Sequence, residues 1–517
     1  MKASKQHSKL ISSSALTLLE QEYRVAWAAR DLQKCDELLG KVLEINPRSA
    51  NALLQRGRLY GVQYDYDQAI EWFEKAVEAS PRDQQITVTI EAGQMSRDFF
   101  DPTIAESFFQ IAVDHADSVP AKLSLAEHSI RMRKPNAARA LVDAVLKSAP
   151  MDPNASLLWC RLHEDQFDAC EERLRRLLAA QSEVLRVRAG YQLAKMLDTA
   201  GDYDGAMLAL HAAKSVSMRM RDPMVTHRHK IRARFQELAK GFSSSKFVEW
   251  QGNSGQYGMP RKLALLGGHP RSGTTLLEQV LDSHPGIISA EETENFSIFS
   301  YYPLTRAQAP MAGIMTVLEN ASQEDLVQAR EKYFSAMDRC LEEPVTSRLL
   351  IDKNPSLTPL APALFRLFPE MSFVIMIRDP RDVILSCYMQ PFFPVDAITG
   401  NFLKLEDAAA EYAAFMGAWI EVSKRLEDRV CEVRYEEMVD DLESNALKVL
   451  GFLGMDWNES VMDYDRHARA KVVRSPTADA VTEKVHSRAK ARWRNYEKHL
   501  EPMIETLSPC MKALGYQ

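Results

Sequence analysis

Residues 263–285 read LALLGGHPRSGTTLLEQVLDSHP. The apolar run at 263–267 has the length and composition of a buried parallel strand. GHPRSGTT follows at once, and LLEQVLDSH has helical periodicity. Strand, glycine-containing loop and helix in that order make a phosphate-binding loop. Gly268 and Gly273 let the backbone approach an anion, and the amides of Thr274 and Thr275 open a helix whose dipole favours negative charge. The spacing fits G-x-x-x-x-G-K-[ST], except that Thr274 stands where the pattern has lysine. In NTPases that lysine reaches the β- and γ-phosphates. Its replacement argues against ATP or GTP hydrolysis and leaves the anion cradle in place. Arg271 adds a fork-shaped cation inside the loop. A plain glycine turn is the bland alternative, and the strand–loop–helix context disfavours it.

The chain around this loop has 517 residues, 46% apolar and 26% charged, enough for two to four domains with real cores. This balance excludes a collagen, a mostly disordered chain and a disulfide mini-protein. Lys and Arg total 64 against 71 Asp and Glu, a net charge of −7. A general nucleic-acid binder needs a basic surface, so no nucleic-acid partner is expected. The seven cysteines are scattered and form no CxxC, which reads as reduced thiols in a cytoplasmic compartment. No apolar run reaches the length of a membrane span, so no membrane partner is expected. The opening MKASKQHSKLISSSALTLLEQE is broken by Ser12–Ser14 and meets Glu20 too early for a secretory apolar region.

The N-terminal half repeats. In ANALLQRGRLYGVQYDYDQAIEWFEKAVEASPRD (50–83), Gly57 and Tyr60 fall on a first helix and Ala69, Phe73 and Ala76 on a second, which Pro81 ends. Small residues stand where two antiparallel helices cross closely, and the aromatics fill the space beside them. The pattern resembles the tetratricopeptide repeat, and Pro47 precedes Pro81 by that repeat's 34 residues. Ala105-Phe109-Ala112, Ala137-Leu141-Ala144, Ala169 and Ala206-Leu210-Ala213 mark later second helices, giving about six helix pairs between residues 15 and 220. Each pair is too small to bury its own apolar face, so stacking supplies the core. The solenoid is either a spacer or dimerisation arm, or a groove for a peptide or protein. Beyond it, 217–240 reads as a charged, solvated helix, and the Gly- and Ser-rich GFSSSKFVEWQGNSGQYGMPRK reads as a domain junction.

The loop segment PRSGTTLLEQVLDSHP, followed by Glu291-Glu292-Thr293, resembles the 5′-phosphosulfate loop of sulfotransferases, most of all the tyrosylprotein branch. The resemblance covers roughly residues 260–515. It implies a transfer of a sulfuryl group from 3′-phosphoadenosine 5′-phosphosulfate to an acceptor hydroxyl, with adenosine 3′,5′-bisphosphate as product and no metal. Arg271, Ser272, Gly273, Thr274 and Thr275 would hold the 5′ end of the donor. In FVIMIRDPRDVILSCYMQ, Arg378 ends a buried strand and Ser386 lies eight residues on. The resemblance gives these two the 3′-phosphate. Taken alone, Arg-Asp-Pro-Arg also suits a helix cap and an ion pair. Gln390 stands where the branch has a second arginine.

Glu292, 21 residues after Arg271, takes the branch's position for the general base. Glu291, Glu294 and His284 are its rivals, and a helix start after the strand is its bland alternative. Lys353, in LLIDKNP, takes the position of the lysine that reaches the sulfate and the leaving oxygen. Tyr435 matches a nucleotide-contacting tyrosine, with a core tyrosine as the alternative. Ser475 is expected at the sulfate end, and Arg492, before Trp493, at the 3′-phosphate. The polar, basic stretch 475–492 suits a cover over an anion.

The expected fold is α plus α/β: an N-terminal α-solenoid of tetratricopeptide-like repeats and a C-terminal P-loop-like α/β domain with a mostly parallel sheet. The expected boundaries are a flexible N-terminus at 1–14, repeats at 15–220, a connecting helix and linker at 221–260, and a sulfotransferase domain at 261–517. The expected activity is sulfation, with a tyrosine of a peptide or protein held by the repeats as the first choice of acceptor. A carbohydrate or small-molecule acceptor, a P-loop kinase or NTPase, and an inactive nucleotide-binding scaffold are the alternatives. The oligomeric state, a homodimer included, stays open.

Overall fold

The computed structural model describes residues 2–97, 99, 101–220, 228–258, 260–306, 313–345, 348–391, 399–470, 482 and 484–517. It divides into two compact units, Met1–Leu174 and Arg175–Gln517.

The first unit is helical throughout. It runs α1 Lys2–Ala28, α2 Leu32–Ile45, α3 Ala50–Gly61, α4 Tyr66–Ala79 and α5 Gln85–Ser96. It continues through α6 Pro102–His115, α7 Val119–Arg131, α8 Pro135–Ser148, α9 Pro153–Leu162 and α10 Phe167–Leu178. Helix α1 thus begins inside the stretch expected to be a flexible N-terminus. Polar side chains start most of these helices: Asp31, Ser49, Asp65, Asp101, Ser118 and Asp152 each accept from an amide of the first turn. Each such cap stabilises its helix by about 1 kcal/mol.

Antiparallel pairs form because small residues let the helices approach. A Cβ on Gly57 would stand 2.6 Å from the Phe73 ring and 2.9 Å from the Ala69 carbonyl oxygen. Ala69, Phe73 and Ala76 of α4 have no exposed surface, and Ala105, Phe109 and Ala112 of α6 are as deeply buried. On α8 the inward residues are Ala138, Val142 and Val145, one step after the expected Ala137, Leu141 and Ala144. Pro135 starts α8 as Pro102 starts α6, so the fourth helical residue faces inward in both. On α10 the buried residues are Cys170, Leu174 and Leu177, the first of them one step after the expected Ala169.

The second unit begins with a helix pair, α11 Glu183–Thr199 and α12 Tyr203–Met220, then α13 Arg228–Gly241 and α14 Ser244–Gly252. Where the sequence reads a solvated helix (217–240) and then a junction, the described chain is helical and half inside, because apolar residues of both stretches are buried. Phe235, Leu238, Phe242, Phe247 and Trp250 are buried, and the Phe247 ring stacks on Phe365 at 4.9 Å. The aromatic residues of that stretch outweigh its Gly and Ser content, because each buries more apolar area than a loop can leave exposed.

A sheet of five parallel strands follows: β1 Leu263–Gly268, β2 Ile287–Glu291, β3 Leu349–Lys353, β4 Ser372–Ile377 and β5 Val430–Arg434, in the order β2-β3-β1-β4-β5. Helices flank it: α15 Thr274–Asp282, α16 Tyr302–Arg306, α17 Ile314–Asn320, α18 Gln323–Cys340, α19 Ala361–Leu367, α20 Pro380–Tyr388 and α21 Leu405–Ser423. The last are α22 Tyr435–Asp440, α23 Leu442–Phe452, α24 Tyr464–Ala470, α25 Glu497–Leu500 and α26 Ile504–Ala513. Every residue of β1, β2 and β3 is buried, as expected of a parallel sheet covered on both faces. Leu277, Val280, Val449, Leu450 and Ala468 pack in one cluster with Leu266, Ile351 and Val374. All seven cysteines are buried and free. No helix among the described residues is long and apolar enough to cross a membrane.

Candidate active site

The strand register assembles the site. Open parallel sheets bind ligands at the carboxyl ends of their strands. Glu291 pairs with Lys353 at the ends of β2 and β3, so Glu292 projects from the next position beside that lysine. Ile377 pairs with Arg434 at the ends of β4 and β5, which places Arg378 beside Tyr435 one residue on. The Arg378 guanidinium lies 4.5 Å over the Tyr435 ring.

The loop after β1 turns tightly between these strand ends. Gly268 has φ +124°, and a Cβ there would stand 2.4 Å from the Met376 carbonyl oxygen. Its amide donates to Thr358 Oγ1 at 2.8 Å. Gly273 has φ +98° and faces the Tyr435 ring so closely that a Cβ would lie 2.4 Å from Cδ2. Arg271 adopts φ +75°. Left-handed backbone costs a side-chain-bearing residue about 1–2 kcal/mol. Arg271 is held there by its Nε, which donates to Ser386 Oγ at 3.1 Å, and by Arg378 Nη1, which donates to the Arg271 carbonyl at 3.0 Å. Burial, joined by the nearby charge of Arg378, depresses the Arg271 pKa. Two guanidinium groups that repel each other in a buried cradle favour an anion between them.

The charged pair behind the loop is tighter still. Lys353 has no exposed side-chain surface; its Nζ lies 2.9 Å from Glu292 Oε1 and 3.3 Å from Glu278 Oε2. Glu278 is equally buried and accepts from Ser289 Oγ at 2.7 Å. Burial works against the lysine's charge, but Glu278, Glu292 and Glu291 outweigh it and hold the pKa above the ordinary lysine value. Glu292 is about half exposed and faces the cavity. Its rivals are placed otherwise: Glu291 is buried, and Glu294 is exposed without lining the cavity. His284 spends its ring nitrogens on the Asp456 carbonyl and the Gly286 amide.

One cavity of about 360 Å³ collects the predicted residues. Arg271, Gly273, Thr274, Thr275, Glu292, Arg378, Ser386, Tyr435 and Arg492 all line it. Ser272 is buried in the loop and Lys353 lies behind Glu292, so neither forms its wall. Gln390 lines the cavity where the resemblance calls for arginine, and its Nε2 donates to the Ser386 carbonyl at 3.3 Å. Ser475 and residues 476–481 and 483 of the stretch expected to cover the anion lie outside the described residues; Val485, His486, Ala489 and Arg492 from its later part line the cavity.

The sequence reading passed over four supporting side chains. Thr358 holds Gly268, and Glu278 holds Lys353. Asp382 lies 3.9 Å from Arg378 and accepts the Trp493 amide at 2.7 Å; burial lifts its pKa to about 6. Asp198 of α11 pairs with Arg492. The i, i+4 spacing of Arg378 and Asp382 was a readable signal. So was a glutamate inside the apolar run LLEQVL. Nothing local marks Asp198.

Among the described residues no group of three or more His, Cys, Asp or Glu side chains is placed to hold a metal ion.

Fold and site together define an α/β domain of phosphate-loop type that has given up the NTPase lysine and gathers arginines at its strand ends. Residues 264–459 match the model of the sulfotransferase family, and residues 50–83 match the tetratricopeptide repeat. The first match begins in β1 and spans the whole sheet, and the second falls on α3 and α4. It is similar to protein-tyrosine sulfotransferase 2 of Gallus gallus, 26% identical over 62% of this chain and 85% of that protein. It is also similar to the protein-tyrosine sulfotransferase of Drosophila melanogaster, 27% identical over 50% of this chain and 52% of that protein. An uncharacterized protein of Aquifex aeolicus is 25% identical over 70% of this chain, which spans about half of that protein's length, 47%. Among solved structures, the sulfotransferase domain of the Synechococcus PCC 7002 olefin synthase covers 46% of this chain and 88% of its own, at 22% identity and a TM-score of 0.34.

Proposed function

We propose that the chain is a sulfotransferase that moves a sulfuryl group from 3′-phosphoadenosine 5′-phosphosulfate to an acceptor hydroxyl. The observation that carries the reading is Glu292 at the wall of a cavity that also holds the phosphate loop and Arg378, with Lys353 bound behind it at 2.9 Å. A glycine cradle and a buried Arg378 Nε with no hydrogen-bond partner among the described residues fit an anionic donor. The donor supplies the sulfuryl group and leaves as adenosine 3′,5′-bisphosphate. Glu292 accepts the proton of the acceptor hydroxyl. Lys353 and Arg271 place positive charge where negative charge gathers on the departing oxygen, and the loop amides at Thr274 and Thr275 add their dipoles. Arg378, Ser386 and Arg492 hold the 3′-phosphate, and Tyr435 packs against the nucleotide.

The acceptor we favour is a tyrosine in a peptide or protein held by the repeats. The names of the similar Gallus and Drosophila proteins and the repeat at 50–83 support it. Seven buried free thiols support a reducing compartment, the cytoplasm. The test is calorimetric titration with adenosine 3′,5′-bisphosphate, with ATP plus Mg²⁺ as control. Binding of the bisphosphate without metal, and none of ATP, is expected; binding of ATP alone overturns the reading in favour of a kinase. With a sulfate acceptor in hand, Glu292→Gln should keep bisphosphate affinity within about threefold and lose about a hundredfold or more in turnover. Turnover at the native rate removes Glu292 as the base.

A further inference from the structure

The helix pair α11–α12 reaches the donor cavity at two points. Asp198, near the end of α11, pairs through Oδ2 with the guanidinium of Arg492, which lines the cavity. Its other oxygen, Oδ1, accepts from Tyr496 Oη at 2.6 Å, and Tyr496 is fully buried. On α12, the buried Lys214 Nζ donates at 2.7 Å to the carbonyl of Phe402, whose residue lines the same cavity.

Tyr496 also bonds the Arg492 side chain, so Asp198 and Tyr496 act on it together. The neighbouring Trp493 is fixed by its own amide, which donates to Asp382 Oδ1 at 2.7 Å, and by Arg381, 3.7 Å over the indole ring. That fixes the backbone and leaves the long side chain to be oriented. A free arginine carries about 2 kcal/mol of rotamer entropy, which an anion must overcome on binding. A carboxylate that grips one edge of the guanidinium removes that freedom beforehand and leaves the remaining N–H donors for a ligand. Asp198 is itself immobilised by Tyr496, so the grip is rigid.

We propose that Asp198 is a positioning residue for the donor site: it holds Arg492 against the cavity, so full recognition of the 3′-phosphate requires α11. This rests on the proposed placement of the 3′-phosphate near Arg492. The helix pair that reads as the end of the repeats is then part of the nucleotide site.

The experiment is calorimetric titration of the full chain with adenosine 3′,5′-bisphosphate and with adenosine 5′-phosphate; the ratio of the two affinities isolates the 3′-phosphate. Arg492→Ala should lower this ratio about tenfold or more, the size of a charge-assisted hydrogen bond. Asp198→Asn should lower it about three- to tenfold, and the double variant should match Arg492→Ala alone, because both changes remove one interaction. Asp204→Asn is the docking control. Asp204 pairs with Lys498 and His499 at the same contact without touching Arg492. It should keep the native ratio. A native ratio in Asp198→Asn, a double variant that adds the two losses, or an equal loss in Asp204→Asn each overturns the inference. Tyr496→Phe, which unfastens Asp198 without removing its charge, repeats the test if Asp198→Asn does not fold, with a smaller loss expected and a native ratio overturning it. An Arg492→Ala variant with the native ratio instead defeats the 3′-phosphate placement, and the inference with it.

Discussion

A lysine with no exposed surface keeps its charge only where carboxylates replace the water it has lost. Lys353 is such a residue, and Glu278 is the fully buried half of its pair. Removing one member leaves the other as an uncompensated buried charge, which costs about 3–5 kcal/mol. Lys353→Met should therefore lower the denaturant midpoint strongly, and Lys353→Met with Glu278→Gln should recover most of the loss while remaining inactive. A double variant as unstable as the single would show that Glu278 is not the source of the strain. Lys214 is the opposite case. Burial drives its pKa down to about 7, against an ordinary value near 10.4. The folded chain therefore releases a proton that the unfolded chain keeps. Its contribution to stability is present at high pH and lost as pH falls through about 7, with a slope of up to about 1.4 kcal/mol per pH unit in between. Lys214→Met should remove that slope. Measured by thermal unfolding, the variant's advantage over the native chain should be largest near pH 6 and shrink by about pH 9. A constant difference would place a charged amine at this site.

At the scale of the element, the loop after β1 divides its two glycines between two tasks. Gly268 meets backbone: a Cβ there would press on the Met376 carbonyl of β4. Gly273 meets Tyr435, a wall of the cavity. Gly268→Ala should lower the melting temperature of the chain, with a cost of about 1–3 kcal/mol or more. Gly273→Ala should act chiefly on bisphosphate affinity, seen by calorimetry at a temperature where both variants are folded. Equal affinity losses in the two would mean that the loop behaves as one unit. This loop was legible before the structure because its signal is local: strand, glycines and helix follow one another within 23 residues of sequence. The pairing of Glu292 with Lys353 was legible only as two separate motifs, since strand register brings them together. The helix α14 was not legible, because Gly and Ser content in that stretch hid Phe247 and Trp250, whose partners lie more than a hundred residues away in α19. The one-residue shift on α8 has a similar origin: alanines at 137 and 138 offer two faces, and only packing chooses between them.

For the whole molecule, the structural division falls inside the region that repeats in sequence. Residues from Arg175 onward, including α11 and α12, pack with the sheet-bearing part of the chain. Helices α13 and α14 do so too, through Phe235 on Phe415 and Phe247 on Phe365. A fragment beginning at 175 is expected to unfold cooperatively and bind adenosine 3′,5′-bisphosphate. A fragment beginning at 261, the boundary the sequence suggests, is expected to aggregate, since it uncovers the aromatic faces of Phe365 and Phe415. Circular dichroism melting and light scattering on the two fragments check this, and a soluble, cooperative fragment from 261 would show α13 and α14 to be dispensable.

The pairing of Asp198 with Arg492 joins residues 294 positions apart. A ribosome adding about 5–20 residues per second needs roughly 15–60 s to travel that distance. During that interval α11 is finished and its carboxylate has no arginine to hold. The nascent chain therefore passes through a long period in which α11 can already be folded while the cavity is open on one side, and that side closes only once residue 492 has been made.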